Sequence, residues 1–323
     1  MRTKHILTTI VLVCSAPLAF AEATGSFSKT LNVSGKPDVE IQTGSGNITV
    51  RVGSANTVQV NARIKASDNW FDSGMSASER VKRIEQDPPV RQNGNMVSIG
   101  RIEDRELRNH ISISYEVSVP AGSSLNSRTG SGDQEISGVN GTLRASTGSG
   151  NIRANGVGGD PRLETGSGDI KIEFVKGRLY AHTGSGNITA RSVEGGLNAE
   201  TGSGDIEYYQ TAAGAVLAHT GSGNIRLHDV KGGVEAHTGS GDVDIDGEAT
   251  SAWDVETGSG NLNLRLPQNA TFDLRAQSSS GSIQMNRPVT VQGILKRNRV
   301  EGKVGNGGPL LSLHTGSGDI RID

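Results

Sequence analysis

The chain has 323 residues, of which 45 are glycine, and aromatic residues make up only 3% of it. Its formal net charge is −2 at pH 7, so it lacks the strong positive charge that typically binds nucleic acid or an anionic membrane. So few large side chains cannot fill a wide globular core, but they can fill a narrow core that is repeated along an axis.

The first residues have the pattern of a secretion signal. A cationic start (1–5) precedes an apolar run (6–20), and Ala19 and Ala21 place small residues at −3 and −1 of a cut before Glu22. The apolar run is short for a bilayer-spanning helix. We therefore predict an exported protein of the periplasm or the cell surface, with no membrane span after the signal is removed.

Cys14 is the only cysteine, and it lies inside this predicted signal. The residue before it is Val13, whereas lipidation requires a small residue there. We expect a mature chain without lipid, disulfide or thiolate chemistry, beginning at residue 22 and ending at residue 323.

The mature chain begins with strand-like alternation that leads to a first copy of a repeat at Thr43. The next copy begins only at Thr129, so an insertion of about 66–96 is predicted. Within it, Ser76 starts a polar stretch that ends before Asp87-Pro88, which is typical of a short helix. We interpret this segment as an insertion within a single domain, not as a second domain.

A six-residue string, Thr-Gly-Ser-Gly-Asn/Asp-Ile/Val/Leu, dominates the remaining chain. It begins at Thr43, Thr129 (where the last position is Gln134), Thr147, Thr165, Thr183, Thr201, Thr220, Thr238, Thr257 and Thr315, and a degenerate copy begins at Ser278. Between Thr129 and Thr257 the copies are 18 or 19 residues apart. A constant period with almost no insertions indicates that each unit is one coil of a stack.

One unit shows how a coil would fold. Leu197, Ala199, Thr201 and Ser203 share the parity of an inward strand face, and after a bend at the paired glycines Ile206 points inward again. Coils stacked about 4.8 Å apart would pair with their equivalents. The sequence predicts an all-β protein: a single right-handed parallel β-helix with coils of roughly 18 residues and a small N-terminal insertion.

The same pattern predicts regular coils over about 127–285 and a C-terminal cap over about 291–323. Whether a coil has two or three faces stays open. The residue after the second glycine alternates strictly: Asp133, Asn151, Asp169, Asn187, Asp205, Asn224, Asp242, Asn261. Either this spacing keeps carboxylates apart in a parallel stack, or it records the duplication of a 36-residue unit; both imply stacking.

The Gly-Ser-Gly-Asp-Ile core, the lead-in from Val39 to Ile48 and the passage from Tyr115 to Gly122 resemble the bacterial "putative adhesin" domain family, which is related to the head-GIN adhesin-like domains. The glycine-rich segment 305–308 before the last copy is similar too. The resemblance covers nearly the whole mature chain. It implies a β-helix in the cell envelope, and it supplies no catalytic residues.

One outward stripe could bind a metal ion. The residue before each repeat threonine runs Glu164, His182, Glu200, His219, His237, Glu256. Imidazole and carboxylate side chains at coil spacing could bind Zn²⁺, Cu²⁺ or Ni²⁺, although interleaved opposite charges on a solvated face explain the same pattern. A calcium site is not expected, because one Asp per coil, alternating with Asn, supplies too few oxygens.

No catalytic constellation is recognisable, so we expect a non-enzymatic envelope protein without cofactors. In this reading a rigid β-helix presents its faces for adhesion, binding or scaffolding. The partner would be an envelope protein or a polysaccharide, and self-association through the ends or faces of the solenoid is an option; nucleic acid is not expected. The alternatives are a polysaccharide lyase or hydrolase built on a β-helix and a metal-binding solenoid.

Overall fold

The computed structural model describes residues 22–68, 74–291 and 296–323. The predicted signal (1–21) lies outside them. Within the described residues, no helix is long and apolar enough to cross a membrane.

Strands make up most of the described chain, together with two short helices. In chain order the elements are β1 (Glu22–Asn32), β2 (Asp38–Thr43), β3 (Ile48–Val52), β4 (Thr57–Ser67), α1 (Ala77–Gln86), β5 (Val90–Asn93), β6 (Met96–Ile99), α2 (Arg105–Arg108), β7 (Ile111–Val119), β8 (Ser124–Thr129), β9 (Gln134–Ser137), β10 (Leu143–Thr147), β11 (Ile152–Val157), β12 (Arg162–Thr165), β13 (Ile170–Val175), β14 (Leu179–Thr183), β15 (Ile188–Val193), β16 (Leu197–Ser203), β17 (Ile206–Gln210), β18 (Val216–Ser222), β19 (Ile225–Ser240), β20 (Val243–Ser259), β21 (Leu262–Arg265), β22 (Phe272–Ser280), β23 (Ile283–Met285), β24 (Thr290–Val291), β25 (Arg299–Val304), β26 (Leu310–Ser317) and β27 (Ile320–Ile322).

The repeats stack into a solenoid with two long faces. The Thr face consists of the strands that carry the repeat threonine; here Leu143 of β10 pairs in parallel with Leu125 of β8, 18 residues earlier. The Ile face consists of the strands that follow the Asn or Asp of the motif; here Ile152 of β11 pairs in parallel with Ile170 of β13. The parallel pairing repeats from coil to coil along both faces.

The interior is filled by the small and β-branched residues that the repeat supplies. Leu197 is 0% exposed, Ala199 1%, Thr201 2% and Ile206 0%, as the alternation predicts. Ser203 is different: it was expected to point inward, but it is exposed. The reason is that strand alternation ends at the glycines, where the chain bends.

The repeat threonines are buried because each one satisfies a backbone group of the neighbouring coil. Thr201 Oγ1 donates a 2.8 Å hydrogen bond to the carbonyl of Gly186, the second glycine of the preceding coil. A Cβ at Gly186 would lie 2.0 Å from the carbonyl oxygen of Gly168, so this close approach requires glycine. The threonine and the second glycine thus specify the stacking together.

The N-terminal end is covered by antiparallel strands and a helix. β1 pairs with β4, and β4 pairs with β7, both antiparallel. The predicted helix is α1, whose N-cap Ser76 accepts a hydrogen bond from Glu79 N. The chain leaves the coil path directly after β3, earlier than the predicted start at residue 66, because alternate residues of β4 are buried in this cap.

At both ends the order of the coils in space differs from their order in the chain. The first coil, β2 and β3, lies between β6 and β7 on one side and β8 and β9 on the other. At the far end β26 lies between β20 and β22, and β27 lies between β21 and β23.

This arrangement corrects the prediction that residues 291–323 form a cap that closes the stack. The last complete motif, at Thr315, is inside the stack, where its hydroxyl bonds to the carbonyl of Gly260. The outermost coil is the degenerate one at Ser278, whose edge strand β22 is covered by antiparallel β25. An edge position needs no complete motif, because it has a parallel neighbour on one side only.

The Asn and Asp residues after the second glycine form a hydrogen-bonded ladder. The backbone N–H of Asp205 donates to Asn187 Oδ1 at 2.9 Å, and the backbone N–H of Asn187 donates to Asp169 Oδ1 at 2.8 Å. Each Asn side-chain amide reaches the Asp on one side only, as Asn187 Nδ2 does at 3.3 Å from Asp169 Oδ1. Each Asp of the contiguous repeats therefore receives a side-chain amide from one neighbouring coil only.

The alternation of Asn and Asp extends beyond the contiguous repeats once the coils are taken in spatial order. At one end Asp133 N donates to Asn47 Oδ1. At the other end Asp319 N donates to Asn261 Oδ1, and Ser282 N donates to Asp319 Oδ1. The inserted C-terminal coil thus supplies the Asp that the alternation requires at that position.

Candidate binding face

The predicted Glu/His stripe is a continuous column on the Thr face. The residue before each repeat threonine points outward, because that threonine and the residue two positions before it point inward. Strand pairing places the column in the order Glu164, His182, Glu200, His219, His237, Glu256, His314. All six predicted residues are in register, and His314 extends the column.

The members of the stripe make different contacts. Glu164 Oε1 accepts a 2.5 Å hydrogen bond from Arg162 Nε, a contact that raises the pKa of Arg162. His182 Nδ1 lies 3.6 Å from Glu200 Oε2. Neither contact brings three possible metal ligands together, so this half of the stripe consists of paired side chains.

The centre of the stripe is different, because two histidines are adjacent there. The rings of His219 and His237 are stacked, with centroids 4.9 Å apart and an interplanar angle of 8°. Glu235, which lies two residues before His237 on the same face, brings Oε1 to 3.4 Å from His219 Nε2. Asp254 on the next coil has Oδ2 4.0 Å from His237 Nε2.

The column next to the stripe contains aromatic and cationic side chains. Its members, three residues before each repeat threonine, are Asn126, Arg144, Arg162, Tyr180, Asn198, Leu217, Glu235 and Asp254. The guanidinium of Arg162 lies 4.2 Å from the ring centroid of Tyr180. In the described part of the chain, Asn126, Arg144 and Asn198 have no side-chain hydrogen bond or ion pair.

Many polar groups of the Ile face are paired with one another, although Arg153 and Asn155 on β11 have no side-chain hydrogen bond or ion pair in the described residues. The guanidinium of Arg191 lies 4.7 Å from the ring centroid of Tyr209, and it forms a 3.2 Å ion pair with Glu207. Tyr209 donates a hydrogen bond to Glu207, which raises the pKa of Tyr209. His228 stacks on Tyr209 at 4.4 Å and has Nδ1 2.8 Å from Asp246 Oδ1.

The aspartates of the Asn/Asp ladder also accept hydrogen bonds from the protein itself. Burial opposes the charged form of Asp205, but hydrogen bonds from Asn224 and Arg226 hold its pKa below the ordinary value. At Asp319, hydrogen bonds from the backbone and hydroxyl of Ser282 lower the pKa. In both carboxylates Oδ1 therefore accepts from donors of the neighbouring coil.

Two grooves lie beside the N-terminal insertion. One is lined by Arg108, Arg128 and Tyr115 and contains no carboxylate; burial raises the pKa of this tyrosine. The other contains carboxylates that are already engaged.

In that second groove, Asp87 is 3.0 Å from Arg91, Glu103 is 3.7 Å from Arg101, and Asp104 accepts from the backbone of α2. Neither groove combines a free carboxylate pair with an enclosed cleft.

Sequence reasoning missed three residues of the stripe's surroundings. Glu235 and Asp254 belong to the adjacent column, so parity alone does not show that they lean toward the histidines. His314 is distant in the chain and reaches the stripe only because β26 inserts beside β20. The full alternation of Asn and Asp in space is the signal that could have placed that coil.

The sequence model of the Toastrack DUF4097 family matches residues 28–191 and 160–323, so the two matches together span nearly all of the described chain. They overlap over residues 160–191, within the regular coils. We found no significant sequence match among curated proteins.

Solved structures with similar architecture come from several bacteria. A "putative cell adhesion protein" from Clostridium sporogenes is 11% identical, with 93% of this chain and 99% of that chain covered and a TM-score of 0.22. A "putative adhesin" from Bacteroides fragilis is 13% identical, with 93% and 97% covered and a TM-score of 0.33. A "putative adhesin" from Parabacteroides distasonis is 8% identical, with 92% and 97% covered and a TM-score of 0.41. These TM-scores are below 0.5, so the relationship rests on the family match.

Proposed function

Because the chain belongs to the Toastrack DUF4097 family, an adhesin-like group, we propose that it is a non-enzymatic exported envelope protein that binds an extended partner through its Thr face. In this proposal residues 1–21 are removed on export, and residues 22–323 wind as a right-handed β-helix with coils of roughly 18 residues. The protein then acts in the periplasm or at the cell surface.

The observation that carries the proposal is the set of polar side chains on the Thr face that have no partner. On the Ile face, Arg191 is paired with Glu207 and Arg226 with Asp205 of the ladder. Arg153 and Asn155 of that face have no side-chain partner in the described residues. On the Thr face, Asn126, Arg144 and Asn198 bond to no other side chain in the described residues. Unpaired donors and acceptors on a flat, rigid surface are free to bond to a partner without first breaking internal contacts.

The periodicity of the face indicates what kind of partner fits. Equivalent side chains recur at each coil, about 4.8 Å apart. Such an array suits many weak contacts along an extended molecule more than one deep pocket, because repeated contacts multiply affinity once the first is made. Among the partner classes open to this protein, a polysaccharide strand matches this pattern better than a compact protein.

The carboxylates in the groove beside α1 are all engaged, which supports a non-enzymatic role. Asp38 and Glu40, which line another groove and have no side-chain partner in the described residues, lie side by side on β2 and not across a cleft. A glycosidase needs two carboxyl groups across a cleft, one of which must be free to protonate the leaving group. Asp87, Glu103 and Asp104 are instead engaged in ion pairs or capping. A polysaccharide lyase or hydrolase is therefore the less favoured alternative.

The test uses two similar pairs, one on each face, in which an arginine guanidinium lies over a tyrosine ring. Purified residues 22–323 would be tested against envelope polysaccharides and envelope protein fractions in the presence of EDTA. The variant Arg162→Ala/Tyr180→Ala alters the Thr face, and Arg191→Ala/Tyr209→Ala alters the Ile face to the same extent. Aromatic and arginine side chains at the centre of an interface contribute about 2 kcal/mol or more each, so the Thr-face variant should bind at least ~10-fold more weakly.

Saturable polysaccharide binding that is lost only in the Thr-face variant would support the proposal. Loss in the Ile-face variant alone would contradict it. Release of shortened sugars during the assay would show that the protein is an enzyme.

A further inference from the structure

We propose that His219, Glu235 and His237 bind one divalent transition-metal ion, with Zn²⁺ as the best fit. The site does not depend on the polysaccharide partner proposed above. It lies at the centre of the Thr face, on β18 and β19, where the groove along the stripe is lined by both histidines.

The first argument is the order of residues in the stripe. Acidic and imidazole side chains alternate from Glu164 to His314 except at one step, where His219 and His237 are direct neighbours across paired strands. Beside that step two carboxylates of the adjacent column, Glu235 and Asp254, approach the histidines, and Glu235 is the nearer. The break in alternation therefore creates a cluster of three ligands instead of a simple ion pair.

The second argument is the geometry of the three ligand atoms. One ligand atom from each of the three side chains lies within 4.8 Å of the others. Within the residues that the structure describes, this is the one group of three or more histidine, cysteine or carboxylate side chains that approach so closely. Tetrahedral zinc with bonds of about 2.0–2.1 Å needs ligand atoms about 3.3 Å apart. Small rotations of partly exposed rings are enough to close that difference.

The third argument is the state of the imidazole nitrogens. The Nε2 atoms of His219 and His237 are shielded from solvent and have no hydrogen-bond partner, although each side chain is about one-third exposed. The 3.4 Å approach of Glu235 to His219 therefore does not meet hydrogen-bond geometry. A nitrogen lone pair that is shielded and unbonded is costly to bury, and coordination to a metal ion would satisfy both atoms at once.

The donor set selects the class of metal. Two imidazoles and one carboxylate suit Zn²⁺, Cu²⁺ or Ni²⁺, whereas Ca²⁺ and Mg²⁺ prefer oxygen ligands only. Three protein ligands leave a fourth position of a tetrahedral ion for water or for an oxygen of a partner. Asp254, whose Oδ2 is 4.0 Å from His237 Nε2, lies close enough to take that position after a side-chain rotation.

The test is calorimetric titration of residues 22–323, purified in EDTA and then dialysed, with Zn²⁺ alone. The variants are His219→Ala/His237→Ala, which removes both imidazoles, and Glu235→Gln, which removes only the charge. His182→Ala is the matched control, because it removes a histidine of the same stripe outside the cluster. Substitution with Co²⁺ provides a second readout, since a tetrahedral site with nitrogen ligands gives an intense visible absorption band.

We expect one Zn²⁺ per chain for the unaltered protein and for His182→Ala, at least ~10-fold weaker binding for Glu235→Gln, and no binding for the double variant. All four positions are at the surface, so thermal unfolding should show that each variant is folded. No Zn²⁺ binding by the unaltered protein, or equal binding by the double variant, would overturn the proposal. Polysaccharide binding is measured in EDTA, so its failure is separate from the failure of this site.

Discussion

Replacing Asn187 by Asp would place three carboxylates in a row on the Asn/Asp ladder, because its neighbours are Asp169 and Asp205. The new side chain could still accept the hydrogen bond from the backbone N–H of Asp205. It would lose the amide that donates to Asp169 Oδ1, and it would add a negative charge beside each neighbour. We therefore expect the substitution to destabilise the stack at neutral pH.

The size of this effect follows from the spacing of the coils. Two unit charges about 4.8 Å apart repel by about 0.9 kcal/mol in water and about 3.5 kcal/mol at an effective dielectric constant of 20. Asn187 and Asp169 are exposed, so the value in water is the better guide for each of the two new pairs. We expect the free energy of unfolding to fall by about 2 kcal/mol, and the lost amide hydrogen bond adds roughly 0.5–1 kcal/mol.

The assay is urea-induced unfolding at pH 7 and at pH 3, where carboxylates begin to be protonated and their repulsion weakens. The matched control is Asn198→Asp, which adds the same charge on the Thr face beside Tyr180 and Leu217, both uncharged. The reasoning is refuted if Asn187→Asp costs no more than Asn198→Asp, or if its cost is the same at both pH values.

Two further predictions concern stability. Phe174 is 59% exposed and has a φ of 57°, and the equivalent residue of the preceding coil is Gly156, with a φ of 63°. Because glycine adopts this left-handed conformation without strain, Phe174→Gly should raise the free energy of unfolding by about 1 kcal/mol. A lower thermal midpoint for this variant would contradict the prediction. The lowered pKa values of Asp205 and Asp319 stabilise the fold above the ordinary carboxyl pKa of ~3.9, and this contribution is lost as the pH falls through their lower folded values. Thermal midpoints measured from pH 6 to pH 2 should thus fall steeply below about pH 4, and a constant midpoint would contradict the role of the ladder.

Much of the fold could be predicted from the repeat because each coil makes the same contacts as its neighbours. The parity of Leu197, Ala199 and Thr201 correctly places them inside. The position of the C-terminal coil could not be read in the same way, because a motif at Thr315 fits any slot in a stack of equivalent coils. Only the alternation distinguishes the true slot: along the chain Asn261 is followed by Ser282, and the Asp that should come next is supplied by Asp319 of the last copy.

The candidate site was predictable to the same extent. A regular repeat places residues of one column above one another, so the stripe from Glu164 to Glu256 could be derived from the sequence. Contacts between columns depend on side-chain rotamers, which the repeat does not determine. For that reason the approach of Glu235 to His219 emerged only from the structure.

The insertion of the two terminal coils has a consequence for the way the protein resists being pulled apart. In a simple stack the last coil has one neighbour, so tension on a chain end can peel strands away one hydrogen bond at a time. Here β26 and β27 are held by parallel strands on both sides. Tension on the C-terminus must shear two interfaces together. The strands β2 and β3 are also held on both sides, but β1 precedes them and pairs with β4 alone. The solenoid should therefore resist unravelling from its C-terminus more than a simple stack of coils would.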